Sequence, residues 1–368
     1  MVGFLSVRNR AEPIRSRRRF CRVGARRVSD VRAGKPRARE LGLLFDGAPG
    51  PLNAITDVVG VEVGHVTLIE GLDIRTGVTA IHPRCRTADA PAYAGYFSLN
   101  GNGEMTGSAW IEEAGLLSGP VLLTNTHSVG IVRDAVIQWL IRNGRLGSWH
   151  LPVVAETYDG TLNDINGFHV KPEHVFQALD TAMSGPVPEG NVGGGTGMIC
   201  YGYKGGIGTS SRTVEGNVVG VLVQANHGRR SQLRLRGKIQ ALRTEMPEIS
   251  PDRGSIIIVV ATDAPMLPHQ LRALAKRASL GLGRTGAVAS LSSGDLFLAF
   301  STGNPLAPSL DADHTVTALG QSRCSPIYEA AVQATEEAIV NALVAAETMT
   351  GKGGLTVEAL LDVNELVS

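Results

Sequence analysis

The longest β-branched run in the chain is the block Ile256 to Val260, which follows Gly254 and Ser255 and leads to a polar turn at Asp263. A short continuous apolar run between turn residues is typical of a strand that is buried on both faces. We therefore predict a central strand that begins at Ser255. Its position leaves the serine hydroxyl at the rim of a rigid element.

Other apolar or alternating runs predict further strands. They cover residues 55–67, 77–82, 121–126, 151–160, 218–228, 287–291 and 296–302. Apolar residues at helical spacing, together with capping residues, predict helices. These cover residues 108–115 with Ser108 as N-cap, 128–140 with Ser128 as N-cap, 172–183, a stretch from Asp263 or Pro265 through Ala278, and 325–350. Because strands and helices mix without regular alternation, we expect an α/β layered domain.

Composition narrows the class of protein. The chain has 368 residues, enough for one large domain or two, with 43% apolar residues, 5% aromatic residues and 45 glycines. Little aromatic bulk and much glycine indicate close backbone packing and many shaped loops. The sequence contains no run of 18 apolar residues, so we expect no membrane span.

The net charge of +1 hides a division along the chain. Residues 1–40 hold 13 basic and 3 acidic residues, whereas the remainder holds 22 basic and 31 acidic residues. We predict that residues 1–38 form a disordered, arginine-rich extension. A functionless extension is favoured over a nucleic-acid arm or a mitochondrial-type presequence, and the segment lacks the apolar region of a secretory signal.

Cysteine and histidine patterns give no metal or redox signal. The four cysteines, Cys21, Cys85, Cys200 and Cys324, are far apart and form no CxxC pair. This spacing favours free thiols in a cytoplasmic protein. The nine histidines include no HExxH, and the glycine-rich stretches 190–200 and 204–212 lack the order of a phosphate-binding loop. We therefore expect no metal and no cofactor.

Ser255 is the candidate nucleophile. If the Gly254–Ser255 bond were cut, Ser255 would carry a hydroxyl and an α-amine with a pKa of about 7.7–8. One residue would then supply both nucleophile and base. The basic loop 229–243 fits a mobile linker that leads to such a processing site. The alternative for these residues is an ordinary turn serine before a core strand.

Eight segments occur together in one order that is specific to one family. They are Asn100–Gly107, Thr124–Gly130, Ala155–Gly160, Asn163–His169, Glu189–Gly197, Gly205–Arg212, Gln224–Gly228 and Gly254–Ser255. Through them the chain resembles the L-aminopeptidase D-esterase/amidase family, the DmpA-type β-aminopeptidases. The resemblance covers about residues 35–362, which is nearly everything except the arginine-rich front.

The resemblance implies a precursor that cuts itself between Gly254 and Ser255. The products would be an α chain, 1–254, and a β chain, 255–368, within one catalytic domain, 39–368. It also implies a four-layer α/β/β/α sandwich similar to N-terminal-nucleophile hydrolases and related to ornithine acetyltransferase. Family members form homo-oligomers, often tetramers of αβ units. They release N-terminal residues, in some members D- or β-amino acids, from peptides, amides and esters.

The resemblance also assigns roles at the catalytic centre. Ser255 would attack the scissile carbonyl and form an acyl-enzyme, with its own amine as one candidate base. The turn pair Ser293 and Asp295 is a second candidate for relaying the proton. Some relatives carry Glu where Asp295 stands, and the shorter side chain leaves its reach open. The alternative for this pair is an ordinary turn sequence.

Three further residues complete the implied site. Asn226 ends a strand and is the candidate donor to the developing oxyanion, with Tyr158 as a plausible second donor. Glu156 is the candidate ligand for the substrate ammonium group. Taken alone, Asn226 also fits a turn amide, Tyr158 a packing ring and Glu156 a solvated acid. His127, His169 and His227 are interpreted as structural, because no G-x-S-x-G elbow surrounds Ser255.

Two rival functions remain at this stage. An acyltransferase of the ornithine acetyltransferase type shares the general architecture but uses threonine as nucleophile. A glycine-rich protein whose basic arm binds nucleic acid would show intact chains and steep salt dependence. The leading interpretation is a self-processing serine aminopeptidase that acts on small peptides or amino-acid amides. It predicts no membrane or nucleic-acid partner.

Overall fold

The computed structural model describes residues 36–88, 90–145, 147–235, 238–239, 254–304 and 313–360. All of these residues lie within one compact unit, Arg32–Ser368. Most of the predicted arginine-rich extension therefore lies outside the described residues. Its last residues, Arg37 and Ala38, are buried, and Arg37 forms an ion pair of 2.7 Å with Glu189.

The regular elements alternate irregularly along the chain, as the sequence predicts. The longer strands are β1 (Glu62–Glu70), β2 (Ile74–His82), β3 (Ala92–Ser98), β5 (Val121–Asn125), β6 (Val153–Thr157), β9 (Gly206–Val214), β10 (Asn217–Asn226), β13 (Ser255–Thr262) and β14 (Gly294–Ser301). Two-residue strands are β4 (Leu116–Leu117), β7 (Ile199–Cys200), β8 (Tyr203–Lys204), β11 (Arg234–Leu235), β12 (Lys238–Ile239), β15 (Met349–Thr350) and β16 (Thr356–Val357). The helices are α1 (Ser108–Ala114), α2 (Val129–Arg142), α3 (Pro172–Asp180), α4 (Pro268–Arg284) and α5 (Cys324–Ala345).

Two mixed sheets form the centre of this unit. The first sheet has the order β1-β2-β5-β6, and the second has the order β4-β3-β14-β13-β10-β9. A core of residues such as Leu222, Ile257 and Leu298 from the second sheet packs with Ile81 and Leu123 from the first. The two sheets therefore lie face to face, with an apolar layer between them.

Helices cover the outer face of each sheet. Helices α2 and α3 pack on the first sheet through residues that include Val136, Trp139 and Leu179. Helices α4 and α5 pack on the second sheet through residues that include Leu274 and Ile339. The layer order is α/β/β/α, which confirms the predicted four-layer sandwich. No helix in the described part of the chain is long and apolar enough to cross a membrane.

Strand β13 is buried on both faces because its side chains alternate between two cores. Ile256, Ile258 and Val260 point toward helices α4 and α5. Ile257 and Val259 point into the layer between the sheets. Since both neighbouring environments are apolar, a continuous run of β-branched residues satisfies them without alternation. The predicted central strand is confirmed, and it begins at Ser255.

Two predicted strands differ from the structure. Residues 287–291 are not a strand, because Ala289 has a φ of 51° and Leu291 is 94% exposed. The predicted strand 55–67 is split into a 3₁₀ turn, Ile55–Asp57, and the strand β1. Local alternation of apolar residues was misleading in both places, because a loop can carry the same pattern.

Helix boundaries differ from the predicted ones by a few residues. Ser108 is the first residue of α1 rather than its N-cap, which is Gly107. Ser128 is the N-cap of α2, but the Asn125 side chain accepts its backbone N–H, and the serine side chain makes no capping bond. Helix α4 begins only at Pro268, where proline needs no intrahelical N–H partner, and α5 ends at Ala345.

The cysteines agree with the sequence prediction only in part. Cys200 and Cys324 are free and buried. Cys85 is disulfide-bonded, so the expectation of free thiols was wrong at this position. Cys21 lies outside the described residues. Wide separation along the sequence was a poor argument against a disulfide, because it does not determine distance in the fold.

Glu337 of helix α5 is the centre of a buried polar cluster on the outer face of the second sheet. Its carboxylate forms ion pairs with Arg212 of β9 and with Arg39, both at 2.8 Å. Asn53 donates a third hydrogen bond to it, at 2.6 Å. The side chains of Arg212 and Glu337 are each 1% exposed, so neither charge has access to water.

Replacing Glu337 with alanine should therefore destabilise the fold, because it leaves the Arg212 charge buried without its carboxylate. We expect the free energy of unfolding to fall by about 3–5 kcal/mol. The matched control is Glu336→Ala, which removes an ion pair to a half-exposed Arg284 and should cost less than about 1 kcal/mol. Denaturant unfolding monitored by circular dichroism measures both. Equal effects from the two variants would contradict the buried-charge argument.

Candidate active site

Ser255 lies at one end of the second sheet, where β10 ends and β13 and β14 begin. In the antiparallel pair β10–β13 it is opposite Asn226, and in the parallel pair β13–β14 it is opposite Gly294. Its side chain is 5% exposed, and the Gly294 N–H donates a hydrogen bond of 3.3 Å to its Oγ. The register therefore holds Ser255 between the two neighbouring strands, and Gly294 binds its hydroxyl.

Asn226 ends β10 and faces the same side of the sheet as Ser255. Directly opposite residues in an antiparallel pair have Cβ atoms about 4.5–5.5 Å apart. Asn226 Oδ1 accepts the Ile199 N–H at 2.8 Å, and Nδ2 donates to the Tyr158 carbonyl oxygen at 3.0 Å. These two bonds define which end of the amide carries the N–H groups. The donor end lies toward Tyr158.

Tyr158 follows strand β6 of the first sheet, so the site spans both sheets. The residue is 38% exposed, and its ring lies over Gly160, where a Cβ would come within 2.5 Å of the phenol oxygen. Only a residue without a side chain leaves room for the ring there. Through its backbone carbonyl, Tyr158 connects the end of β6 to Asn226.

Ser293 and Asp295 form the predicted polar pair at the start of β14. Ser293 Oγ donates to Asp295 Oδ1 at 2.6 Å. Asn100 holds the other side, because its Nδ2 donates to Asp295 Oδ2 at 3.0 Å and its Oδ1 accepts the Asp295 N–H at 2.6 Å. Burial raises the pKa of Asp295, while the bonds from Ser293 and Asn100 lower it.

The polar pair lies on the Gly254 side of Ser255. Side chains alternate between the two faces of a strand. Asp295 therefore lies on the same face of β14 as Phe297, toward the helices. Ser255 lies on the same face of β13 as Ile257, toward the other sheet. A small recess is lined by Gly254, Ser293 and Asp295, with His227 beside them. The pair is thus adjacent to the bond that joins Gly254 to Ser255, rather than to the Ser255 hydroxyl itself.

Glu156 is a buried carboxylate near the end of β6. It is 3% exposed, its Oε1 accepts the Glu104 N–H at 3.1 Å, and its Oε2 accepts a short hydrogen bond from Thr126. Burial raises its pKa, while the bonds from Thr126 and Glu104 lower it. A carboxylate with these few partners, away from water, is suited to bind an ammonium group.

Gly103 lies between Glu156 and the start of β14, next to Ser255. A Cβ added to Gly103 would lie 3.0 Å from Gly294 Cα and 3.2 Å from Glu156 Oε1. The loop that contains Gly103 is therefore inserted between the carboxylate and the strand start that holds Ser255 Oγ. Its neighbour Asn102 is fixed to the same turn, since Asn102 Nδ2 donates to the Ser292 carbonyl at 2.6 Å.

The three histidines considered in the sequence have other partners. His169 Nε2 lies 3.1 Å from Asp164 Oδ2, and the His127 ring stacks on Phe168 with centroids 6.1 Å apart. His227 is packed edge-on against Tyr201, and burial lowers its pKa to about 3. These contacts agree with structural roles.

The described residues contain no group of three or more His, Cys, Asp or Glu side chains that could hold a metal ion. A larger cavity of about 680 Å³ is lined by Arg84, Arg145 and Trp149 among others. None of the predicted site residues lines it. The predicted site residues lie instead around Ser255, at one end of the second sheet.

Sequence reasoning missed several residues that build the site. Asn100 holds Asp295 from two sides, and Thr126 binds Glu156. Both belong to segments that the motif comparison had singled out, but an asparagine in a turn or a threonine after a strand carries no signal of its own. A third missed contact is the Ile199 N–H that orients Asn226, because a backbone group leaves no trace in the residue types.

Comparison with known proteins identifies relatives along nearly the whole chain. The model of peptidase family S58 matches residues 53–357. A beta-peptidyl aminopeptidase of Sphingosinicella microcystinivorans is 53% identical over 354 residues, covering 88% of this chain and 89% of the relative. A second beta-peptidyl aminopeptidase, from Sphingosinicella xenopeptidilytica, is 48% identical over 86% of each chain.

Solved structures show the same fold. A beta-aminopeptidase of a Burkholderia species is 48% identical, with a TM-score of 0.83 over 90% of this chain and 100% of that chain. The L-aminopeptidase D-Ala-esterase/amidase of Ochrobactrum anthropi is 46% identical, with a TM-score of 0.84 at the same coverage. The latter is described as a prototype of the serine aminopeptidases and a variant of the Ntn hydrolase fold. The predicted resemblance is confirmed, and none of these matches supports the acyltransferase alternative.

Gly254 should be sensitive to substitution if the bond after it is cut. A Cβ at this position would lie 2.7 Å from the Asn226 carbonyl oxygen and 2.8 Å from His227 Cα. We expect Gly254→Ala to shift the Gly254 carbonyl and slow cleavage at least tenfold, because a misplacement of about 1 Å costs on the order of 100-fold. The appearance of a 114-residue fragment, followed by mass spectrometry, measures the rate.

Gly283→Ala on helix α4 is the matched control, because an added Cβ there has nothing within 4 Å. It should leave the cleavage rate unchanged. Normal cleavage in Gly254→Ala would show that the close approach to β10 does not position the bond.

Proposed function

The chain belongs to peptidase family S58 and is an aminopeptidase, and we propose that it cuts its own Gly254–Ser255 bond and then uses Ser255 as an N-terminal nucleophile. The observation that carries this proposal is the position of Ser255. It is the first residue of a central buried strand, opposite Asn226 and Gly294, with its hydroxyl held by a backbone N–H. A nucleophile in this position needs no histidine, since its own amine can serve as the base.

Self-cleavage starts with attack of Ser255 Oγ on the carbonyl carbon of Gly254. The C–N bond to Ser255 breaks, the hydroxyl proton is transferred to the departing nitrogen, and an ester joins Gly254 to Ser255 Oγ. Water then hydrolyses this ester, which gives a carboxyl group on Gly254 and a free α-amine on Ser255. The products are the chains 1–254 and 255–368. Residues 39–254 and 255–368 together form the single proposed catalytic domain, 39–368.

Turnover repeats this chemistry on a substrate. The neutral α-amine of Ser255 takes the hydroxyl proton as Oγ attacks the scissile carbonyl. The Asn226 amide stabilises the oxyanion, with the Tyr158 phenol as the second donor. The resulting ammonium protonates the leaving amine, and water releases the acyl group by the reverse sequence. The same two donors serve the Gly254 carbonyl during self-cleavage.

Ser293 and Asp295 act on the nitrogen of Ser255 rather than on its oxygen. The pair borders the recess at Gly254, so the α-amine that forms on cleavage is released beside it. Asp295 orients the Ser293 hydroxyl through their 2.6 Å bond, and Ser293 then contacts the amine. The shorter Asp in place of Glu is accommodated because Asn100 fixes its carboxylate from the other side.

Glu156 binds the ammonium group of the substrate, which makes the enzyme specific for free N-termini. The substrates are small peptides, amides or esters with an L-, D- or β-amino acid at the N-terminus, as the names of the relatives suggest. A homo-oligomer, a tetramer of αβ units, and a cytoplasmic location complete the proposal. No cofactor is required by these steps.

Replacing Ser255 with alanine tests the nucleophile. Ser255→Ala should yield one uncut 368-residue chain that releases no product from amino-acid amides, because both nucleophile and base are absent. Intact mass spectrometry and an amidase assay measure this. Ser279→Ala is the control and should cleave and hydrolyse normally, because this half-buried serine of α4 donates only to the Lys276 carbonyl of its own helix. Cleavage that persists in Ser255→Ala would reject the proposal.

Replacing Glu156 with glutamine tests recognition of the ammonium group. A hydrogen bond to a charged group contributes about 1.5–3 kcal/mol, so kcat/KM for amino-acid amides should fall about 10- to 100-fold. Glu113→Gln, at an exposed position of α1, is the matched control. An equal loss in both variants, or an equal loss on substrates without an amino group, would contradict the role of Glu156.

The pH dependence of KM gives an independent test of Glu156. Burial raises the pKa of its carboxyl group. As the pH falls, Glu156 is therefore protonated at a higher pH than an ordinary glutamate, and ammonium binding weakens. KM should rise on the acidic side in the wild-type protein and stay flat over the same range in Glu156→Gln. A flat wild-type profile would show that Glu156 does not bind the substrate.

A further inference from the structure

Lys204 is a fully buried lysine that the catalytic steps do not use. Its side chain is 0% exposed, and its Nζ donates to the carbonyl oxygens of Met198 and Gly205 at 2.8 Å and of Gly195 at 3.3 Å. An ammonium group has three N–H donors, so each of them has a partner. Burial of a charge is costly unless such bonds compensate for it.

The contacts of Lys204 favour its charged form over a neutral one. Three carbonyl oxygens accept hydrogen bonds and repel a lone pair. The nearby Cys200 thiol is fully buried and burial raises its pKa to about 12, so it supplies no negative charge. Burial lowers the pKa of Lys204, and the three carbonyl acceptors oppose this shift because they stabilise the ammonium form. Packing alone does not require a charge here, since a methionine has a similar volume.

One peptide group connects Lys204 to the active site. The carbonyl oxygen of Met198 accepts the Lys204 ammonium, and the N–H of the same peptide group, on Ile199, donates to Asn226 Oδ1 at 2.8 Å. Asn226 Nδ2, at the other end of that amide, is the proposed oxyanion donor. Lys204, the peptide group 198–199 and the Asn226 amide thus form one chain of hydrogen bonds, all oriented in the same direction.

The segment that carries this peptide group is held firmly in place. Thr157 Oγ1 donates to Met198 Sδ at 2.9 Å, and the Gly205 N–H donates to the Met198 carbonyl at 2.8 Å. A Cβ on Gly205 would come within 2.5 Å of the Ala225 carbonyl, next to Asn226. The glycine-rich segment therefore packs directly on the end of β10. The charge of Lys204, which lies in this segment, is thus close to Asn226.

We propose that Lys204 is a positioning residue for the oxyanion site, orienting and polarising the Asn226 amide through the peptide group between Met198 and Ile199. Hydrogen bonds in a chain polarise one another, which strengthens each bond by roughly 10–30%. A positive charge at the carbonyl end makes the N–H end of each amide a better donor. The inference rests on the proposed role of Asn226 and extends it to a residue that never contacts the substrate.

Two variants that lack the charge test this inference. Lys204→Met removes both the charge and the donors, whereas Lys204→Gln keeps N–H donors for the carbonyl oxygens and serves if Lys204→Met does not fold. For Lys204→Gln we expect kcat to fall roughly 3- to 10-fold, with KM changed less than twofold, because the loss appears only when the oxyanion forms. Lys276→Gln, at an exposed position of α4, is the control.

A double-mutant cycle with Asn226→Ala separates positioning from a general structural effect. Asn226→Ala alone should lower kcat on the order of 100-fold. In that background, Lys204→Gln should cause no further loss, because the amide that it acts on is absent. For variants that cleave themselves slowly, the self-cleavage rate replaces kcat, since the same donors serve both reactions.

The possible results lead to distinct conclusions. Multiplicative losses in the double variant, a rise in KM alone, or an unchanged kcat in Lys204→Gln would overturn the role of Lys204 and leave the proposed function intact. An unchanged kcat in Asn226→Ala would instead reject the oxyanion role of Asn226, and the inference about Lys204 with it.

Discussion

The pairing of β13 with a strand on each side is the constraint on which the rest of the structure depends. Its antiparallel partner β10 ends beside Ser255, and its parallel partner β14 begins there. The register of these strands is specified to the single residue. It therefore places four groups at the same end of the sheet: the Asn226 amide, the Gly294 N–H, Ser293 and Asp295. Each of these groups lies at or next to the end of its own strand.

The second requirement is close approach of backbones around that end of the sheet. Gly103, Gly254 and Gly294 all lie where a side chain would collide with the neighbouring backbone. The high glycine content of the chain thus has a local reason at the site, where carbonyl and N–H groups must lie near one another. Each of these glycines costs conformational entropy on folding, which the buried cores on both faces of β13 offset.

The central strand and the layered architecture could be predicted because their signals are local. A run of β-branched residues specifies a doubly buried strand wherever it lies in the chain. The segment 287–291 could not be predicted in this way, since its apolar alternation is that of a strand, yet Val288 and Leu291 face solvent. Family resemblance indicated Ser255, Asn226 and Glu156. Neither method reached Asn100 or Lys204, because their roles come from contacts that only the folded chain creates.

The central position of β13 also sets the order of events in the proposed maturation. The proposed β chain would contribute β13, β14, α4 and α5, while β10 and β9 on the other side of the sheet belong to the α chain. As long as the polypeptide is continuous, β10 meets β13 as part of one molecule, at a high effective concentration. After a cut, the same meeting would be a bimolecular encounter between two chains with exposed apolar strands. If the chain is cut as proposed, folding therefore precedes the cut, and the strands of the two products are already paired when the bond between them breaks.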